Sequence, residues 1–152
     1  MLIKNNKAFT LIELMVVISL LAIILAFALP NISSTLERNK KDQMINDAKD
    51  MVEKAKNYIL MGNQCLENKC LLNNIDSKKE IKTSPFGKDY DRNNSYVSIS
   101  SSTDTDSGIK TYTYSVYLKV EDNIMCIESE GKPIDISKFN ESGKYDYVKQ
   151  CS

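Results

Sequence analysis

Glu13 is the single charged side chain in an apolar run from Phe9 to Leu29, with Thr10 and Ser19 its only other polar residues. A carboxylate at bilayer depth costs up to roughly 2.5–3.5 kcal/mol, less near an interface, so an acid kept there asks for a counter-charge. Cleavage between Ala8 and Phe9 would supply one. The new amine would lie four residues before Glu13, at a helix start whose dipole also favours a negative group. The chemistry on offer is the pairing of an ammonium with a carboxylate in apolar surroundings. The four cysteines, Cys65, Cys70, Cys126 and Cys151, offer a second chemistry, since an even count allows complete pairing in an oxidising compartment. Four cysteines allow three connectivities. Cys65 with Cys70 is favoured as a local pair, and Cys126 with Cys151 as the pair that ties a loose tail to a strand.

Other chemistries are excluded by composition. The 152 residues contain no His, which removes Ser-His-Asp triads, histidine acid–base catalysis and histidine metal sites. Basic and acidic residues balance at 20 each, so no global positive field draws nucleic acid. Zinc is disfavoured by the C-x4-C spacing and a redox catalyst by the lack of a C-x-x-C pair. Asp89, Asp91 and Asn93 alternate as calcium ligands do, but Asn94 and Ser100 stand where an EF-hand loop needs Gly and Glu, and Asp104 and Asp106 fail the same template. No phosphate-binding loop, carboxylate cleft or activated nucleophile is present in the pattern, so we expect neither an enzyme, nor a metal, nor a cofactor.

The run Phe9 to Leu29 would span about 31 Å as a helix, close to the roughly 30 Å hydrocarbon core of a bilayer. Lys4 and Lys7 ahead of it favour a cytoplasmic leader and place the remainder outside. Two simpler readings compete: a plain anchor, which leaves Glu13 unexplained, and a cleaved secretory signal ending at the small-x-small triplet Ala26-Phe27-Ala28. After Pro30 the helical pattern resumes. Leu36, Met44, Ala48, Met51, Ala55 and Tyr58 or Ile59 recur at spacings near three and four, and Gly62 ends the helix. The expectation is one helix kinked at Pro30, greasy all round in its first half and striped in its second.

From Ser95 the period becomes two. Val97 and Ile99, then Tyr112, Tyr114, Val116, Leu118 and Val120, alternate with polar residues as half-buried antiparallel strands. Ser101 to Gly108 and Glu121 to Asn123 read as hairpin connections, and Ile124 to Ser129 as a third strand. Phe139 and Tyr145 to Val148 would cover the sheet edge. The fold class is α+β: a long kinked amino-terminal helix packed on a small antiparallel sheet of three or four strands. The expected divisions are a leader over 1–8, an apolar helix over 9–29, an amphipathic helix over 30–61, a connecting loop over 62–94, and the sheet with the carboxy-terminal region over 95–152.

Lys7-Ala8-Phe9-Thr10-Leu11-Ile12-Glu13-Leu14, with the apolar run and Pro30 behind it, resembles the start of the type IV pilins and their relatives, the pseudopilins of type II secretion and competence systems. Ala8 departs from the usual glycine before the cut. The resemblance implies that a prepilin peptidase cuts between Ala8 and Phe9 and methylates the new amine, and that Glu13 neutralises the Phe9 amine of a neighbouring subunit. It implies a membrane-anchored precursor that becomes an extracellular homopolymer, with other pilins, an inner-membrane platform protein and an assembly ATPase as partners. The Cys126–Cys151 pairing is similar to the disulfide closing the carboxy-terminal region of many pilins, and Ser84-Pro85-Phe86-Gly87-Lys88-Asp89-Tyr90 is similar to a segment many pseudopilins and some pilins carry before their sheet, although a generic tight turn accounts for it equally well. The expected function is a pilus subunit. The alternatives are a pseudopilin and, from another class, a membrane-anchored or secreted binding module.

Overall fold

In a computed structural model of the chain, the described residues are 9–151, without the side chains at 28–31. The leader with Ala8 therefore lies outside the described residues, as does the side chain of Pro30. Helix α1 runs Leu11–Leu60. Two compact units divide inside it, between Glu37 and Arg38.

In the first unit, the described residues from Phe9 to Glu37 bury no side chain, and large apolar groups from Leu11 to Ile24 point outward on every side of the helix. Leu36, read as the first member of the apolar stripe, is 55% exposed. The buried stripe starts at Met44, about two helical turns later and inside the second unit.

There, Met44, Ile45, Ala48, Met51, Val52 and Ala55 form one buried face of α1, with the three- and four-residue spacing of an amphipathic helix. They share a core with Val97, Val116, Leu118 and Val120 of the sheet. Gly62, at φ +85°, turns the chain out of the helix, a conformation open to glycine without a Cβ clash.

The sheet has six strands, two beyond the upper expectation: β1 (Lys69–Leu71), β2 (Tyr96–Thr103), β3 (Lys110–Lys119), β4 (Cys126–Ile127), β5 (Ile134–Asp135) and β6 (Val148–Lys149). Their order is β1-β2-β3-β4-β6, with β5 also on β3, and all described pairings are antiparallel. The central pair is in register from Tyr96 opposite Tyr117 to Thr103 opposite Lys110. Its outer half differs from the alternation in the sequence: Tyr112 faces the core side by register but is 52% exposed, because that end of the ribbon extends past the residues that bury Val116 and Leu118. The stretch 62–94, read as irregular connection, holds β1 and the one-turn helix α2 (Leu72–Ile75). Left-handed Glu67 and Asn68 make the tight turn into β1 without glycine.

Candidate functional site

The first polar groups of α1 close upon one another. Thr10 is the helix cap, and its backbone N–H and its hydroxyl both donate to Glu13 Oε2, each at 2.9 Å. The Glu13 N–H donates back to Thr10 Oγ1 at 3.3 Å. This reciprocal pattern is a capping box, which satisfies amides that a helix start otherwise leaves open. Its T-x-x-E signature is present in the sequence and is the signal that would have singled out Thr10 beside Glu13. Further along, Ser19 Oγ donates to the Met15 carbonyl at 2.7 Å. Thr10, Glu13 and Ser19 thus each find a partner within their own helix, which reduces the cost of apolar surroundings.

Phe9 precedes the helix and is 79% exposed. The structure therefore sets Phe9 and Glu13 at the same helix start, on a segment whose side chains have no core of their own. Among the described residues, the stretch Leu11–Phe27 of α1 is about 26 Å long by helical rise, short of a bilayer core, and meets the length and composition of a span only together with the part of α1 that follows from Ile32.

The cysteines belong to the second unit, where Cys65 is joined to Cys70 and Cys126 to Cys151. The first disulfide brackets the turn into β1; the second fastens the tail to β4. The acidic residues weighed as calcium ligands serve turns and ion pairs. Asp89 accepts from the Thr83 hydroxyl at 2.8 Å, Asp91 from the Asn94 N–H at 3.2 Å, and Asp104 from the Asp106 N–H at 2.8 Å.

A buried polar knot, absent from the sequence reading, organises the loop between α2 and β2. Asp76 is 1% exposed. It accepts from Arg92 at 3.0 Å, from the N–H groups of Glu80 and Ile81 at 3.1 and 3.0 Å, and faces Lys54 at 3.2 Å. Arg92 also donates to the carbonyls of Ile81, Leu72 and Asp76, and Lys54 contacts Glu80. Burial pushes the Asp76 carboxyl up, but Arg92, the Ile81 N–H, Lys54 and the Glu80 N–H outweigh it and hold the group below the ordinary carboxylate range. Three further bonds fasten α1 to the loops: Tyr90 OH to Asp47 at 2.6 Å, and Lys144 and Tyr145 to Asp42 at 2.6 and 2.8 Å. This unit is a head braced by buried and long-range polar contacts.

Residues 3–29 match the family model described as the prokaryotic N-terminal methylation motif. The chain carries the class III signal sequence of type IV pilins and pseudopilins. No curated protein and no solved structure matches the chain. The α+β architecture, a long amino-terminal helix followed by an antiparallel sheet, is consistent with the pilin fold. The class III signal implies a membrane-anchored precursor, processing by a prepilin peptidase and assembly through pilus-type machinery, and it points to a structural protein.

Proposed function

We propose that this protein is a structural subunit of a type IV pilus. The precursor is cut between Ala8 and Phe9 and methylated on the new Phe9 amine, then drawn from the bilayer into a helical fibre. The observation that carries this reading is an apolar helix with its side chains outward and one carboxylate, Glu13, at its start, beneath a methylation motif. Moving that surface from lipid to a fibre core exchanges one apolar setting for another, so packing and pairing of Glu13 with a neighbour's Phe9 amine set the register. Homopolymer contacts, other pilins, the platform protein and the assembly ATPase are the partners this pathway brings, and the product lies outside the cell. Adhesion and motility are the roles such a fibre would serve.

A second reading, a pseudopilin of a secretion or DNA-uptake system, shares the same amino-terminal motif, and the Ser84–Tyr90 segment is compatible with it as with a pilin. The segment forms a tight hairpin in which Ser84 N–H donates to the Lys88 carbonyl at 2.8 Å and Gly87 N–H to the Ser84 carbonyl at 3.2 Å. Intact-mass and amino-terminal analysis of material sheared from the cell surface tests the main reading. A methylated Phe9 start in a sedimentable fraction is the expected result. A Leu29 start, or an uncut chain found only in membranes, would refute it in favour of a binding module.

A further inference from the structure

The two long strands outrun the rest of the sheet. β2 and β3 stay paired out to Thr103 and Lys110, whereas the pairing of β5 on β3 ends at Ser115 and that of β1 on β2 ends at Ser98. The hydrogen bonds at the other end of β3 show which of its groups this leaves open. On the β2 side, the Lys119 N–H donates to Ser95 Oγ at 3.0 Å and the Lys119 carbonyl accepts from the Asp91 N–H at 2.8 Å; on the opposite side, the Val120 N–H donates to the Met125 carbonyl at 2.9 Å. Successive residues of an antiparallel strand alternate in this respect, so the N–H and C=O of Lys110 and Tyr112 turn away from β2. Among the described residues no strand pairs with them there. From Thr111 to Leu118 the strand has no charge, proline or glycine, the devices that ordinarily blunt an edge. Lys110 is the one charge on the open stretch, and its Nζ lies 5.4 Å over the Tyr112 ring.

We propose that this open edge of β3 pairs with the same edge of a second copy of the chain, antiparallel and two-fold symmetric about Thr111. That register sets Thr111 opposite its own equivalent and each Lys110 opposite Tyr112 of the other copy. The edge is complementary to itself in three ways. Its outward N–H and C=O groups of Lys110 and Tyr112 match one another, Thr–Thr is a favourable cross-strand pair, and the ammonium-over-ring contact made within one chain is offered again across the axis. The pairing also stops short of Ser115, where β5 holds the edge. A two-fold contact closes upon itself, so it is separate from any contact that repeats along a fibre, and the inference goes beyond the pilus reading without depending on it.

The test is oxidative cross-linking of the full chain in its native membranes with one added cysteine at a time, Thr111→Cys at the axis or Thr105→Cys in the exposed hairpin connection. In the proposed register Thr111 occupies a non-hydrogen-bonded pair, whose Cβ atoms lie about 4.5–5.5 Å apart. The expected result is several-fold more cross-linked dimer from Thr111→Cys than from Thr105→Cys, and loss of that excess when Tyr112→Pro is added. Proline removes an outward N–H and leaves the ladder to β2 intact. Tyr112→Lys keeps every backbone group but sets like charges opposite one another at positions 110 and 112, and is expected to abolish the excess as well. Equal dimer from the two cysteine positions, or an excess that survives both Tyr112 variants, would overturn the inference. A cross-linked product whose mass is not twice that of the chain would assign the edge to another partner and overturn it too.

Discussion

The unit over 9–37 and the unit over 38–151 solve opposite problems with the same backbone conformation. In the first, no described side chain of α1 is buried, and the polar groups of its apolar stretch are answered locally, Thr10 with Glu13 and Ser19 with Met15. In the second, α1 gives one face to a core and ties its other side chains to distant loops through Asp42, Asp47 and Lys54. A segment that satisfies its polar groups internally and leaves its apolar groups outward is built to change surroundings. A segment braced by long-range bonds is built to keep its shape while that happens.

Substitutions that break the bracing should cost the head heavily and leave processing before Phe9 untouched. The largest effect is expected for Asp76→Ala, which strands Arg92 in a mostly buried position; we expect a loss of about 3–5 kcal/mol in denaturant unfolding followed by circular dichroism. Replacing Cys126 and Cys151 by alanine removes a cross-link across 25 residues of sequence and should cost about 3–4 kcal/mol by the same measurement. Tyr90→Phe leaves the Asp47 carboxylate without its 2.6 Å donor and should cost about 1.5–3 kcal/mol.

Acid sharpens the contrast. The Asp76 carboxyl titrates lower in the folded head than in an unfolded chain, so the folded state binds fewer protons there. Its contribution is fully present above the ordinary carboxylate range, near pH 4, and is lost as pH falls through the depressed folded value. Asp76→Asn should remove that part of the acid dependence, seen as a shallower fall of stability below about pH 4. The smallest effect on the head is expected from Leu21→Ser in the exposed apolar helix, within about 0.5 kcal/mol, while fibre yield drops.

What the sequence disclosed follows the range of the forces involved. Periodic burial is local and legible: the Met44 to Ala55 face and the Val116–Leu118–Val120 alternation appear in the structure where the spacing puts them. Register over longer separations is not. Asp76 and Arg92 lie 16 residues apart in a polar stretch with no period, and the tertiary fold alone brings them together. β5 and β6 are two residues each, too short to show alternation, and β1 is entered through left-handed Glu67 and Asn68 where no glycine announces a turn. Tyr112 obeys the strand period yet stays exposed, because period reports a face and says nothing of what covers it. At the candidate site Glu13 stood out by its charge, whereas Thr10 passed as an ordinary polar residue although its spacing to Glu13 encodes the cap.

The most direct test of the central claim is to replace Glu13 with alanine in the full chain and measure two things on the same preparation: fibre formation by sedimentation and electron microscopy, and thermal unfolding of the head. The account predicts a processed subunit with an unchanged melting transition that fails to form fibres. Normal fibres from that variant would contradict it.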